Sequence, residues 1–272
     1  MTVAYDVASG AARRRRVAGI VRRDVYALHR NGGRLLDIFF WPVLELVIWG
    51  FVTAFLRANN VPIAVSMLLG AVLLWHAVAR AQAELAMVFM QDVWSRNLLN
   101  VFAGPISLGE FLAGHVIFVA GLVTASTAVL STLALLLYGI GVTTIGPAAV
   151  PFLVVLTGMG WGLGIIAIGI VIRFGEGTQS VAWVLAAAFQ PFAAVFYPVA
   201  VLPPVAQAIA WAVPASHVFE GLRGLLAGHG IDWAGLATAA ALDVALLAGA
   251  VAFLAHALRH ARRTGRLSKF GE

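Results

Sequence analysis

DVWSRNLLNVFAGPISLGEF, residues 92–111, carries an aspartate, an arginine, two asparagines and a glutamate between two long apolar runs. Either it is a surface loop of a water-soluble helical domain, or it is the point where a membrane-embedded chain leaves the lipid and turns back. Composition decides between them. Of the 272 residues, 61% are hydrophobic and 11% charged, where a soluble domain of this length would carry about 25% charged residues. The mean hydropathy is +0.94. Such a chain cannot cover itself in water, so the expectation is an all-α polytopic membrane protein made of one membrane domain over residues 1–272.

Several chemistries are excluded at once. The chain has no cysteine, which removes disulfides, thiolate catalysis and cysteine–zinc sites. Its single lysine, Lys269, lies near the end, so no Gly-Lys-Ser/Thr phosphate loop exists, and ATP chemistry would have to come from another chain. The first apolar run begins only near Leu35 and is too long for a cleavable signal peptide. A net charge of +6 could point to nucleic acid, but the arginines crowd the two ends, as membrane orientation requires. No cofactor or metal set is visible.

A bilayer core about 30 Å thick takes roughly 20 apolar residues of helix. Six runs qualify: residues 35–56, 62–83, 111–138, 147–172, 181–202 and 233–258. Six crossings put both ends on one side. Fifteen of the Arg and Lys residues fall on the side of the termini and two, Arg57 and Arg223, on the other, which predicts cytoplasmic termini. The arginine-rich segment 13–34 carries Val17, Ile20, Val21, Val25 and Leu28 as an apolar stripe, with Arg16, Arg23 and Arg30 recurring on another face. This pattern predicts a cytoplasmic helix lying in the membrane interface, or a plain topology anchor for the first crossing; the two are compatible.

Residues 92–102 read as a short amphipathic helix, with Leu98 and Phe102 toward one side and Asp92 and Arg96 elsewhere. Gly104 and Pro105 stop it. Ser107 and Glu110 then form a Ser-x-x-Glu capping box that starts the next crossing. The segment either packs on lipid headgroups or docks a cytoplasmic partner. In the second case Trp94 is the anchor, for its large apolar area, and Arg96 the rim contact.

VWSRNLLNVFAGPISLGEFLAG, residues 93–114, resembles the segment after the second crossing of type-2 ATP-binding-cassette (ABC) exporter permeases. FYPVAVLPPVAQAIAWAVPASHVFEGLRGLL, residues 196–226, is similar to the stretch between their fifth and sixth crossings, and the basic helix before the first crossing is a third shared feature. The resemblance implies the six-helix permease fold, a homodimer of two copies, and two separate ATPase subunits docked from the cytoplasm of a bacterial plasma membrane. It makes residues 92–102 the coupling helix, with Asp92, Trp94, Arg96, Leu98 and Phe102 against the ATPase. It makes residues 203–230 an external re-entrant hairpin. That region is independently odd: it holds Pro203, Pro204 and Pro214, and broken backbone at membrane depth survives only where protein or water shields it.

Charges inside the spans need partners. Arg80 and Glu84 sit one turn apart. Glu45 lies within reach of the Arg80 arm, so Glu45, Arg80 and Glu84 are expected to form an intramembrane network, structural or lining a transport path. Asp243 in the last crossing has no evident partner. Phe39, Phe40, Trp41 and Trp49 on the first crossing, and Phe189, Phe192, Phe196 and Tyr197 on the fifth, are path candidates beside their generic role in interfacial belts. Gly158, Gly160, Gly162 and Gly164 form two overlapping G-x-x-x-G patterns, a sign of close helix packing.

The leading expectation is an ABC exporter subunit that moves a lipid-linked glycan or other amphiphile across the plasma membrane and is not itself an enzyme. Efflux of hydrophobic drugs or antibiotics is the alternative within that class. Outside it stand an integral-membrane enzyme using His217 and Glu220, and a proton-coupled carrier using Glu45 or Asp243.

Overall fold

The computed structural model describes residues 9–59, 65–95 and 105–264, and these are helical with no strand among them. The helices of eight residues or more are α1 (Gly10–His29), α2 (Gly32–Ala58), α3 (Val65–Trp94), α4 (Leu108–Tyr138), α5 (Ala149–Phe174), α6 (Val181–Phe189), α7 (Pro204–Trp211), α8 (Pro214–Leu226) and α9 (Trp233–Arg263). Local chemistry sets their ends. The capping box at α4 is present: Ser107 Oγ accepts from Glu110 N at 3.2 Å, and Glu110 Oε2 accepts from Ser107 N at 2.9 Å. Gly139, at φ 70°, closes α4 in the left-handed conformation that only glycine adopts cheaply. Asp232 caps α9 by accepting from Gly235 N at 2.9 Å.

Five helices among the described residues, α2, α3, α4, α5 and α9, are long and apolar enough to cross a membrane. The expected crossing over residues 181–202 differs. It is helical through Phe189, makes a 3₁₀ turn at Gln190–Phe192 and then loses regular structure up to a second 3₁₀ turn at Val199–Val201. Pro191 and Pro198 explain the break, since neither can donate to a helical ladder. The regular part rises roughly 20 Å, short of a 30 Å core.

Helices α3 and α5 form the interior. Over their apolar stretches 83% is buried, against 22% for α2 and for α9. The two glycine pairs of α5 explain the close fit, and each pair faces a different neighbour. A Cβ at Gly160 would lie 2.6 Å from the Val78 carbonyl oxygen and from Ala81 Cβ on α3, and Gly164 meets Leu85 of the same helix. Gly158 abuts the Asp243 carboxylate, and a Cβ at Gly162 would lie 2.8 Å from Leu246 Cγ, both on α9. Gly160→Ala should therefore cost about 1–2 kcal/mol, the lower part of the overpacking range because only one carbon is added. Gly121→Ala on α4, where a Cβ would meet nothing within 4 Å, should be near neutral. Melting of the two purified variants checks this, and equal melting points would refute the close packing.

Residues 203–230 hold two short helices. Helices α7 and α8 meet at Ala212 and Val213, and Pro214 takes the first turn of α8, where its missing N–H costs nothing. Helix α8 buries Val218, Phe219 and Leu222 in the core, while α7 leaves Val205, Ile209 and Trp211 exposed.

Candidate functional site

At one end of the bundle the start of α2 crosses α3, and three charged side chains meet. Arg34 Nη2 donates to Glu84 Oε2 at 2.5 Å, and Arg80 Nη1 donates to Glu84 Oε1 at 2.9 Å. Arg80 Nη2 donates to the Ile38 carbonyl at 2.8 Å. The side chains are buried, at 6% exposure for Arg34, 10% for Arg80 and 5% for Glu84. Arg34 keeps Nε and Nη1 buried without a hydrogen-bond partner among the described residues. Glu84 is thus a shared counter-ion for two helices.

The expected network named Glu45 with Arg80 and Glu84. The Arg80–Glu84 pair is found, but Glu45 makes no ion pair among the described residues, and Arg34 takes its place. The reason is the direction of the Arg80 arm. It reaches Ile38, and Glu45 is seven residues further along α2, about 10 Å along the axis. The guanidinium turns toward the arginine-rich end rather than deeper into the bundle.

Glu45 nevertheless belongs to the same site. A cavity of about 270 Å³ is lined by Arg34, Asp37, Glu45, His76, Arg80 and Glu84, with Trp41 and Trp183 as aromatic walls. His76 Nε2 lies 3.0 Å from Ser126 Oγ. Trp41 is 60% exposed and sets its ring edge against Phe40, centroids 5.4 Å apart. The cavity therefore opens beside an aromatic surface formed by Phe40, Trp41, Phe51 and Phe55 of α2. Of the other aromatic candidates, Trp49 stacks on Phe196 at 4.5 Å, joining α2 to the irregular segment after α6. Phe189 and Phe192 pack against the core. Phe39 lies on another face of α2, toward α1 and α4. Tyr197 donates its hydroxyl to the Pro191 carbonyl at 2.7 Å. Asp243 is buried on α9 against Gly158, and its Oδ1 has no hydrogen-bond partner among the described residues.

The polar segment of residues 92–111 is only partly described. Asp92 to Trp94 are the last turn of α3 rather than the start of a separate helix. Arg96, Leu98 and Phe102 lie outside the described residues. Trp94 is exposed at 52%. Asp92, expected on a partner-facing surface, is instead buried and accepts both Arg23 Nη1 and Nη2 at 3.0 Å. Helix α1 is braced by further pairs that the sequence did not announce. Arg16 Nη2 donates to Glu110 Oε1 at 2.6 Å, and Asp24 Oδ2 lies 2.6 Å from His115 Nδ1. So two of the three arginines that recur on the face away from the apolar stripe, Arg16 and Arg23, turn to carboxylates of α4 and α3. Partners 69 to 94 residues apart leave no local signal.

His217 and Glu220 serve the backbone. Glu220 Oε1 accepts from Val199 N at 2.6 Å, and Arg223 bridges Glu220 Oε2 at 3.1 Å and the Ala194 carbonyl at 2.8 Å. His217 Nε2 lies 3.0 Å from the Trp211 carbonyl. The Glu220 and Arg223 bonds tie the irregular stretch after α6 to α8, and the His217 contact joins α8 to α7.

Among curated proteins none matches the chain. The family model described as ABC-2 type transporter matches residues 29–227, from the end of α1 to the end of α8. That match covers nearly three-quarters of the sequence and includes the charged cavity, the aromatic face and the broken region after α6. With five helices apolar and long enough to cross a membrane, it makes the protein a multi-pass membrane protein. The chain belongs to the ABC-2 type transporter family, as its membrane-spanning component.

Proposed function

We propose that the chain is the permease subunit of an ABC exporter of the bacterial plasma membrane, working as a homodimer with two copies of a separate ATPase subunit. Both termini are cytoplasmic in this reading, and α7 and α8 with the segment around them form an external re-entrant hairpin. Fifteen basic residues against two support the orientation. A chain whose single lysine is Lys269 has no phosphate loop of its own and takes its motor from a partner.

The substrate proposed is a lipid-linked glycan or another amphiphile. The observation that carries it is the polar cavity opening beside the aromatic face of α2. An amphiphile needs both: polar groups for its head, and ring faces on which sugars or chains pack. Trp41 belongs to the cavity and to the face. A second reading, efflux of a cationic hydrophobic drug, is favoured by Asp37 and Glu45, two cavity carboxylates with no ion pair among the described residues.

The test reconstitutes the permease with its ATPase and follows transport and substrate-stimulated hydrolysis. Trp41→Ala should lower stimulation roughly fivefold to tenfold with either substrate class, the scale of a lost aromatic contact. Glu45→Gln should fold normally, spare a lipid-linked glycan and remove the response to a cationic amphiphile. Undiminished transport of both classes by Trp41→Ala would place the path elsewhere.

A further inference from the structure

Helix α1 touches α4 along one face and leaves a groove beside it. The groove holds about 680 Å³ between Arg14, Val17, Val21 and Arg22 of α1 and Ala113 and Ile117 of α4. It runs on into a second hollow of about 290 Å³, which shares Val21 and Ile117 and continues past Gly121 to Ala125. The floor on α4 steps by four residues through Gly109, Ala113, Ile117, Gly121 and Ala125, one helical face. A Cβ at Gly109 or Gly121 would meet nothing within 4 Å, so the floor lies open.

The charges sit at one end only. Arg13, Arg14 and Arg22 edge the wider hollow, while no charged residue lines the narrower one. Glu110 is the acid at this rim, and Arg16 occupies it at 2.6 Å. Arg13 is 3.7 Å from Glu110 and 68% exposed, and Arg14 and Arg22 have no ion pair among the described residues. A cationic rim above an apolar trough matches one molecular shape, an anionic head on a hydrocarbon chain.

We propose that this groove seats one anionic glycerophospholipid. Its phosphate lies among Arg13, Arg14 and Arg22, and one acyl chain lies along Val21, Ile117 and Gly121. Guanidinium groups bind phosphate oxygens through charge-assisted pairs, and basic hollows between membrane helices take acidic headgroups.

The test purifies the full-length permease from bilayers of phosphatidylcholine with a minor share of phosphatidylglycerol, then measures retained lipid by native mass spectrometry. Phosphatidylglycerol should be enriched over its bulk share. Arg14→Gln with Arg22→Gln should cut that enrichment at least about tenfold, two surface arginines' worth after salt screening. Gly121→Leu, which fills open space without touching a charge, should cut it too. Arg15→Gln, off the groove, should not. Enrichment that survives the double change overturns the proposal. An equal loss in Arg15→Gln reduces it to general surface charge and overturns it as well. Insensitivity to Gly121→Leu would leave a bare phosphate contact without a chain seat. A cysteine at Ala113, in this cysteine-free chain, that links two copies in the membrane would give the groove to a second protomer instead.

Discussion

Glu84→Leu should destabilise the permease by about 3–5 kcal/mol, because it leaves two buried arginines without their counter-ion. Arg34 and Arg80 both end on this one carboxylate, and Arg34 already has two buried nitrogens unsatisfied. The cost comes from the stranded charge more than from the lost bonds. Removing all three charged groups should therefore hurt less than removing the acid alone. The triple variant Arg34→Leu/Arg80→Leu/Glu84→Leu should melt above Glu84→Leu in detergent, measured by size-exclusion recovery after heating. If the triple change costs the sum of its parts, the three groups act independently and the shared counter-ion is refuted.

Trp94→Ala should leave the permease folded and inserted while weakening retention of its ATPase roughly thirtyfold, the cost of truncating a tryptophan anchor. Trp94 closes α3 with half its surface exposed, whereas its neighbour Asp92 is spent on Arg23 inside the protein. A partner would find the indole, not the aspartate. Pull-down of the ATPase by the variant and substrate-stimulated hydrolysis are the readouts. Full ATPase retention with normal transport would show that Trp94 only rests among lipid headgroups. Arg23→Gln is the useful contrast: it should loosen α1 and lower the melting point without removing the anchor.

What could be read in the residues was local or periodic. The capping box of Ser107 and Glu110, the tight glycine pairs of α5 and the one-turn pair of Arg80 and Glu84 each lie within a few positions of each other, and each is found. The long apolar runs likewise mark five of the six expected spans. The sixth misled because hydropathy counts side chains, while Pro191 and Pro198 break the backbone ladder within an equally apolar run. The missed partners share another cause. Rise per residue gives depth along a helix but neither its rotation nor where a long arm turns. Glu45 was within reach of Arg80 on paper, yet the arm went the other way, to Ile38 and Glu84. Arg34, counted as an orienting charge outside the lipid, is a buried member of the network. Trp41 was legible as an aromatic, though its place on a cavity wall needed the fold.

The glycines of α5 also bear on mechanics. With Gly160 and Gly164 meshed into α3, and Gly158 and Gly162 into α9, α5 works like a rack held between two toothed plates. A slip by a single residue advances it about 1.5 Å and swings its faces by roughly 100°. That would drive Met159, Trp161 or Leu163 into gaps too shallow for a methyl group. Sliding is blocked, and α3, α5 and α9 travel as one slab. Relative motion is then left to α1, α2 and α4, which meet α3 through the Arg23–Asp92 and Arg34–Glu84 pairs and through the buried apolar contacts of α2 and α4.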